Sequence, residues 1–407
     1  MKILNFGSCN IDYVYTVDHI VVPGETLSSN KLELFAGGKG LNQSIAAARA
    51  GAKVFHAGCL GYDGEMLREV MVKSGVDVSN ITQLDTKNGH AVIQVSAQGE
   101  NSIFLYPGSN ALVTKEIIDT VLNKFSKDDI LLLQNEISCV PYIIDVAFEK
   151  GMKIAFNPAP FTEDLKSIDF KKISYLILNE TEAMGFTGIS NIENCLDFIS
   201  SNYKQLTVIL TIGKDGCIYC CNGEQIRQPA FEVKTVDTTA AGDTFIGYFL
   251  ASICGGVNIK KALKTASCAS AVTVSKMGAA PSIPYMNEVK EALINLKEMA
   301  VDKRKENYKK IEAYIDQNLK TADLKGVAKV LGYTKEYAGN IVKKETGYTF
   351  SAFLQKKRCE KAAELLAKTS MSVGDIIEET GYANQSFFRK QFKEMYGLTP
   401  LSYRKEN

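Results

Sequence analysis

Histidine is scarce in this 407-residue chain: only His19, His56 and His90 occur. That argues against a histidine-rich metal site and leaves few candidates for a Ser-His-Asp or Cys-His arrangement. Long apolar runs are missing too. No stretch approaches the roughly 18 residues that a membrane helix needs, so no membrane association is expected. An apolar run follows Lys2, but Asn5, Asn10 and Asp12 break it before a signal-peptide core of about 7–15 residues can form. The chain reads as cytoplasmic, and its ten cysteines as reduced thiols rather than a disulfide framework. Cys217 and Cys220 have CxxC spacing, with Cys221 beside them, but no second ligand pair lies nearby. They sit in an apolar, strand-like stretch, where buried or half-buried thiols are expected.

Charge of one sign is also lacking overall, since the net charge is +1. That total hides a split. Residues 303–407 hold 21 Lys+Arg against 13 Asp+Glu, whereas the part before them holds 26 against 33. A basic tail on an acidic body points to a polyanionic partner for the last hundred residues. Hydrophobic residues make up 45% and charged residues 23%, an ordinary globular composition that excludes disordered and fibrous classes. The length suits two or three domains.

The first 295 residues or so alternate strand-like and helix-like stretches. Lys2–Phe6, Lys53–Ala57, Ala91–Val95, Ile130–Leu133, Lys153–Phe156, Tyr175–Leu178 and Leu206–Thr211 read as strands. Gly40–Arg49, Glu65–Ser74 and Thr114–Lys124 read as helices between them. The alternation predicts an α/β fold with a mostly parallel sheet covered on both faces. Ligands of such sheets sit at the carboxyl ends of the strands, near helix N-termini.

Two glycine-rich turns stand out. Gly37-Gly38-Lys39-Gly40 precedes a helix starting near Leu41 and matches neither the Walker A nor the dinucleotide fingerprint. By itself it leaves open a binding role and a packing role. Val236 through Phe245 leads small residues into an amphipathic helix, and backbone N–H groups at such a start can hold an anion. Asp243, in the first turn, is either a general base for a hydroxyl attacking a phosphoryl group or a helix-start residue favoured by the dipole.

These segments together resemble the PfkB (ribokinase-like) family of carbohydrate kinases, within it the ribokinase group. The matching pieces run in order along nearly all of residues 1–295: Gly7-Ser8-Cys9-Asn10-Ile11-Asp12, Pro23-Gly24-Glu25-Thr26, Gly37 through Gln43, Asn157-Pro158-Ala159-Pro160, Asn179-Glu180-Thr181-Glu182, and Asp237 through Asp243. The resemblance implies a parallel-sheet sandwich with a small β lid, formed by Ala91–Val95 and the segment before Gly37. It implies ATP with Mg²⁺ and a pentose-like sugar as reactants. Asn10, Asp12, Gly38, Lys39, Asn42 and Glu136 map to sugar-binding positions. Asp243 maps to the general base, and the N–H groups of Ala240, Ala241 and Gly242 to the anion hole. Asn179 and Glu182 map to the motif that organises magnesium and phosphate, Thr211 and Gly213 to nucleotide contacts. Asp237, the carbonyls of Thr239, Thr273 and Gly278, and Ser282 map to a monovalent-cation site suited to K⁺. Leu41 and Ser267 depart from the pattern, Leu41 where a smaller residue is common and Ser267 on the adenine side.

Residues 1–297 are expected to form this domain, 298–304 a linker around Val301–Lys305, and 305–407 an all-helical domain. Asn287–Met299 and Lys305–Leu319 read as charged helices. Ile311, Tyr314, Ile315 and Leu319 form one apolar stripe of the second, for packing within the tail. Beyond it lies an internal repeat, at about 320–347 and 372–397. Val327 through Tyr333 is followed by a helix Thr334–Thr346 ending at Gly347. Ile376 through Tyr382 is followed by a helix Ala383–Tyr396 ending at Gly397. The two Gly-Tyr pairs stand 49 residues apart. Helix, glycine turn and second helix is helix-turn-helix logic, with Phe350–Lys368 joining the units.

The run Gly381 through Lys393, with Gly397-Leu398-Thr399-Pro400 and Tyr403-Arg404, resembles the DNA-binding domain of AraC-family transcription regulators. The resemblance implies double-stranded DNA as partner, with each unit's second helix in the major groove. Lys335, Glu336, Gly339 and Asn340 match base-facing positions of the first unit; Asn384, Gln385, Ser386 and Arg389 match those of the second. Lys343, Lys344, Lys390 and Lys393 suit phosphates. Three functions fit: a sugar-responsive regulator whose sensor is a working kinase, a regulator whose kinase fold only senses, and a kinase whose tail only oligomerises. The complete set of catalytic residues and the charge split favour the first, acting as a homodimer.

Overall fold

Runs such as Ile130-Leu131-Leu132-Leu133 are apolar at every residue, as a strand covered on both faces requires. The computed structural model of the chain places them so. It describes residues 1–299, 303–382 and 384–406; Val301 and Asp302 of the expected linker, and Ala383, lie outside the described residues. Two units divide the chain, Met1–Ala300 and Val301–Asn407.

The strands of the first unit are β1 (Ile3–Phe6), β2 (Asn10–Val17), β3 (Lys31–Gly37), β4 (Val54–Leu60), β5 (Asp77–Gln83), β6 (His90–Ser96), β7 (Asn101–Tyr106), β8 (Ile130–Gln134), β9 (Lys153–Asn157), β10 (Tyr175–Asn179), β11 (Thr207–Thr211), β12 (Cys217–Cys221) and β13 (Glu224–Gln228). Nine form one sheet in the order β13-β12-β11-β10-β9-β8-β1-β4-β5. It is parallel from β5 to β11, and β12 and β13 add an antiparallel edge. Successive side chains enter opposite cores. Ile130 and Leu132 pack with the helices Lys39–Arg49, Ala241–Cys254 and Ile259–Val274. Leu131 and Leu133 pack with Val140–Glu149 and Ile192–Asn202.

β1 lies between β8 and β4, and the chain winds outward from it on both sides. The carboxyl ends of β1 and β8 therefore open a crevice where helices leave in opposite directions. Over it stands a second sheet, in the order β3-β2-β6-β7. Its β6 and β3 are the two segments expected to form the lid; its edge strand β7 is exposed along its whole length. Cys217 and Cys220 are buried in β12 and Cys221 is half-buried, all three as free thiols.

The expected helix Asn287–Met299 stops at Asn295. The chain then returns to the sheet side: Glu232 N–H bonds the Lys297 carbonyl at 2.8 Å, and Met299 N–H bonds that of Ala230 at 2.7 Å. Backbone pairing with Phe231 outcompetes the helix, and Glu298 and Met299 belong to the first unit rather than to a free connection. The next helix, Lys303–Gln317, starts earlier than the pattern suggested.

In the second unit, Ile311 and Ile315 pack with Val327, Val342 and Phe353, so the apolar stripe serves the tail's own core. The long helix Phe350–Lys368 feeds two cores, through Phe353 and Leu354 at one end and Cys359, Ala362 and Leu366 at the other. Side chains of Thr334, Ser372 and Asn384 cap the helices Lys335–Thr346, Val373–Glu379 and Gln385–Tyr396.

The helices Lys39–Arg49 and Ala241–Cys254 cross closely because Gly247 offers no side chain. A Cβ there would lie 2.6 Å from the Ala47 nitrogen. Gly247→Val should cost about 1–3 kcal/mol, the usual penalty of overpacking. Urea unfolding of both proteins measures this; an unchanged midpoint would show that the crossing tolerates separation.

Candidate functional site

The crevice gathers residues far apart in sequence. Gly38, at φ +92°, turns the end of β3 into the helix Lys39–Arg49. A side chain is excluded at that angle and would also crowd the Asn10 nitrogen, at 2.9 Å. The first helical residue, Lys39, meets Glu136, which follows β8. The Lys39 ammonium lies 3.0 Å from Oε1, and the Lys39 N–H donates to Oε2 at 3.1 Å. Ser8, just after β1, donates its hydroxyl to the same Oε2 at 2.5 Å. Burial works against the Lys39 charge, but Glu136 and Asp243 outweigh it and hold the ammonium above its ordinary pKa.

On the lid side, Asn10 accepts from Asn110 Nδ2 at 2.7 Å, and Asn110 Oδ1 accepts from the Cys9 N–H at 3.1 Å. Asp12 on β2 is half-buried over Gly37, where any Cβ would collide with its carboxylate. Burial first, then the neighbouring Glu136 charge, pushes the Asp12 carboxyl up to about 7, against the pull of Lys39.

Asp243 sits in the first turn of Ala241–Cys254. The chain enters that helix through Ala240, in the left-handed region at φ +59°. Both carboxylate oxygens accept amide hydrogens, Oδ2 from Asn42 at 3.0 Å and Oδ1 from Gln43 at 2.9 Å. Burial drives this carboxyl above its usual range; Lys39 and the two amides oppose the shift, and Glu136 adds to it. Asn42 Oδ1 is buried and unpartnered among the described residues. Open space surrounds Gly242 where a Cβ would stand.

Asn179 ends β10 and caps the helix Glu180–Thr187 in a reciprocal box with Glu182. Its Oδ1 accepts from the Glu182 N–H at 2.9 Å, and its own N–H and Nδ2 donate to the Glu182 carboxylate at 2.9 and 3.0 Å. Two cavities result. One of about 350 Å³ is lined by Asn10, Tyr106, Asn110 and Glu136. The other, about 180 Å³, is lined by Lys39, Asn179, Glu182, Thr211, Gly242 and Asp243. The Lys39–Glu136 ion pair joins them. Asp12, Gly38, Asn42 and Gly213 line neither.

Of the expected cation group, Asp237, Thr239 and Gly278 come together. Asp237 Oδ1 accepts from the Thr239 N–H and hydroxyl, at 2.9 and 2.7 Å, and Oδ2 from the Gly278 N–H at 2.9 Å. Burial works against its charge, but these donors outweigh it and hold the carboxyl below the usual range. The Thr273 hydroxyl is turned to Thr244 and the Ser282 hydroxyl to the Ala279 carbonyl. Ser267 is buried, 3.8 Å from Cys217 Sγ, and Leu41 lies wholly in the core.

In the tail, Lys335, Asn340 and Lys343 are exposed on one helix, and Gln385, Ser386, Arg389, Lys390 and Lys393 on the other. The side chains of Glu336 and Lys344 lie outside the described residues. Asn384 was expected to face bases, but its Oδ1 accepts from the Phe387 N–H at 2.9 Å as a helix cap. Caps Thr334 and Asn384, buried Ala338 and Phe388, and terminal Gly347 and Gly397 each stand 50 residues apart, against 49 for the Gly-Tyr pairs. The second turn is one residue longer, and Gly339 occupies the register of Arg389.

Asn110 and Gln134 are unmarked in the sequence, and Ser8, Gln43 and Asn157 stand in motifs there without a role. No periodicity marks Asn110 or Gln134. Gln43 could have been found from its place one residue after Asn42 on a helix start.

A carboxylate at a helix start beside an ammonium, at a parallel-sheet crevice, is an arrangement that phosphoryl transfer to a hydroxyl can use. The comparisons agree. The model of the pfkB family carbohydrate kinase matches residues 1–286, and that of a helix-turn-helix domain residues 327–406. The ribokinase of Haemophilus influenzae is 34% identical over 301 residues, covering 70% of this chain and 96% of that one. The Thermotoga maritima ribokinase structure is 35% identical with a TM-score of 0.65, covering 72% of this chain and 100% of that one. Arabidopsis thaliana ribokinase, solved with ribose and ATP, is 27% identical with a TM-score of 0.64, covering 72% of this chain and 98% of that one. The chain belongs to the PfkB family of carbohydrate kinases, with a helix-turn-helix domain of the AraC type at residues 327–406. No helix among the described residues is long and apolar enough to cross a membrane.

The raised Asp12 carboxyl sets a pH dependence. The unfolded chain loses this proton near its ordinary 3.8, the folded chain only near 7. Stability from this group is full below about 4 and lost as pH rises through 7. Asp12→Asn should flatten that fall, matching wild type near pH 4.5 and exceeding it at pH 8 in urea unfolding. A wild-type slope in the variant would place the carboxyl in water.

Proposed function

We propose that the first unit transfers the terminal phosphoryl group of ATP to the terminal hydroxyl of a ribose-like sugar, and that the second reads double-stranded DNA under control of that pocket. The observation that carries the catalytic half is the half-buried Asp243 carboxylate, which lines the cavity beside Lys39 and is held by two amide donors. The polyol side is Asn10, Asp12, Gly38, Lys39, Asn42 and Glu136, whose carboxylates and amides suit sugar hydroxyls. The unpartnered Asn42 Oδ1 is ready to accept one.

In this reading Asp243 takes the proton of the attacking hydroxyl as its oxygen bonds the γ-phosphorus and ADP departs. The Ala241 N–H bonds the Thr238 carbonyl at 3.3 Å, which leaves chiefly the Ala240 and Gly242 N–H groups for the equatorial oxygens. Asn179 and Glu182, locked to each other, line the phosphate side, and Thr211 and Gly213 contact the nucleotide. Mg²⁺ bound with ATP neutralises phosphate charge. Asp237, the carbonyls of Thr239, Thr273 and Gly278, and Ser282 would hold K⁺, whose charge would help order the loop before Ala240. A coupled assay over pentoses, hexoses and nucleosides tests this. Asp243→Asn should lower turnover by about 10²-fold or more with sugar binding intact, and K⁺ should outperform Na⁺. Sugar binding without turnover in wild type would instead establish a pure sensor.

The exposed row Gln385, Ser386, Arg389 and Lys393 carries the DNA half, with Lys335 and Asn340 in the first unit. The chain acts as a pair of copies, supported by the exposed Leu32, Leu34, Ile103 and Phe104 on the two edge strands of the upper sheet. With the full chain, Arg389→Ala should relax sequence preference. Lys393→Ala should weaken all duplexes alike and lower the salt slope by about one. Wild-type affinity should change when sugar is added, typically by about 5–150-fold for coupled sites. No affinity for duplex DNA at low salt would leave the tail an oligomerisation element, and equal affinity with and without sugar would leave two independent functions on one chain.

A further inference from the structure

Behind Asp243 runs a line of buried amides whose direction is not free. Asn5 Nδ2 donates to the Gly40 carbonyl at 2.7 Å and to Ser44 Oγ at 2.9 Å. A carbonyl only accepts, so the Asn5 oxygen must face the other way. It accepts from Gln134 Nε2 at 3.0 Å. The same Gln134 nitrogen donates to Gln43 Oε1 at 2.7 Å. Gln43 is thereby left with its nitrogen pointing at Asp243 Oδ1, 2.9 Å away, and at Asn157 Oδ1, 3.1 Å away. At the far end Asn157 Nδ2 donates to the Ile177 carbonyl at 2.9 Å, which fixes the Asn157 oxygen toward Gln43. Asn5 and Gln43 are 0% exposed, Gln134 1% and Asn157 6%, so water cannot substitute for a lost partner.

We infer that Gln43 is a positioning residue for Asp243, and that Gln134, which never touches the carboxylate, sets its polarity. Two backbone carbonyls, Gly40 and Ile177, act as fixed ends. Between them every amide has one orientation that satisfies its neighbours, although it leaves Gln134 Oε1 buried and unpartnered among the described residues, and that orientation delivers a hydrogen to Asp243. A Gln43 amide turned over would face the carboxylate with its oxygen. The relay rests on Asp243 being the base proposed above. It adds a means of keeping that base charged and aimed after water leaves. The charged groups acting on Asp243 are Lys39, Glu136 and Glu182, and the relay touches none of them.

The experiment is the pH dependence of kcat and KM for full-length wild type, Gln43→Met, Gln134→Met and Asp243→Asn, with ATP and ribose. Losing the donor leaves the carboxylate less stabilised, so the acid limb of kcat should move up. About one pH unit is expected for Gln43→Met, and a smaller shift of the same sign for Gln134→Met. KM for sugar should change less than about twofold, because neither side chain is assigned to the sugar. Gln43→Glu keeps the shape should Met weaken the fold. Its carboxylate would share a proton with Asp243 and carry the limb up by more than about one unit. The same shift is readable without turnover from the Asp243 carboxyl ¹³C resonance, assigned by its loss in Asp243→Asn. An unmoved limb and resonance in both methionine variants, with Asp243→Asn inactive, would overturn the relay alone. Full turnover by Asp243→Asn would overturn the base and the relay with it.

Discussion

A carboxylate partly withdrawn from water must be matched by charge and hydrogen bonds supplied by the protein, and Asp243 imposes that demand on its surroundings in the first unit. The Lys39 ammonium, the Asn42 and Gln43 amides and the close crossing of two helices at Gly247 all answer it. Glu136 satisfies Lys39 in turn, with Ser8 holding Glu136, so residues from β1, β8 and two helices are tied into one network. The crevice between β1 and β8 is where such pieces can meet, because chain ends and helix starts converge only where the winding reverses.

Most of the sheet was legible because its inner strands are apolar on both faces. β1, β8, β9, β10 and β11 lie within a residue of their expected bounds, as does β6 of the upper sheet, whereas β4 runs three residues further, to Leu60. The edge strand β7 was not, since all six of its residues are exposed and no pattern distinguishes it from a loop. The end of Met286–Asn295 was misjudged because pairing with Phe231 is a long-range competitor invisible to helical periodicity.

The site was legible in its ionisable members, which stand in motifs. Of its amides, Asn10, Asn42 and Asn179 were legible in the same way, but Asn110 and Gln134 were not. Asn110 and Gln134 gain their roles only when strands distant in sequence lie side by side, Gln134 opposite Asn157 in the β8–β9 register. In the tail, the repeat was evident from its glycines, but the capping role of Asn384 and the longer second turn needed coordinates. The reason is physical: a cap is chosen by local geometry among several eligible polar residues.

That extra residue in the second turn bears on the DNA such a tail would select. One residue is about 100° of rotation around a helix axis, so side chains equally far from the two Gly-Tyr turns point in different directions. Gly339 also stands where the other unit has Arg389. Each copy would therefore favour two unlike boxes rather than one box read twice.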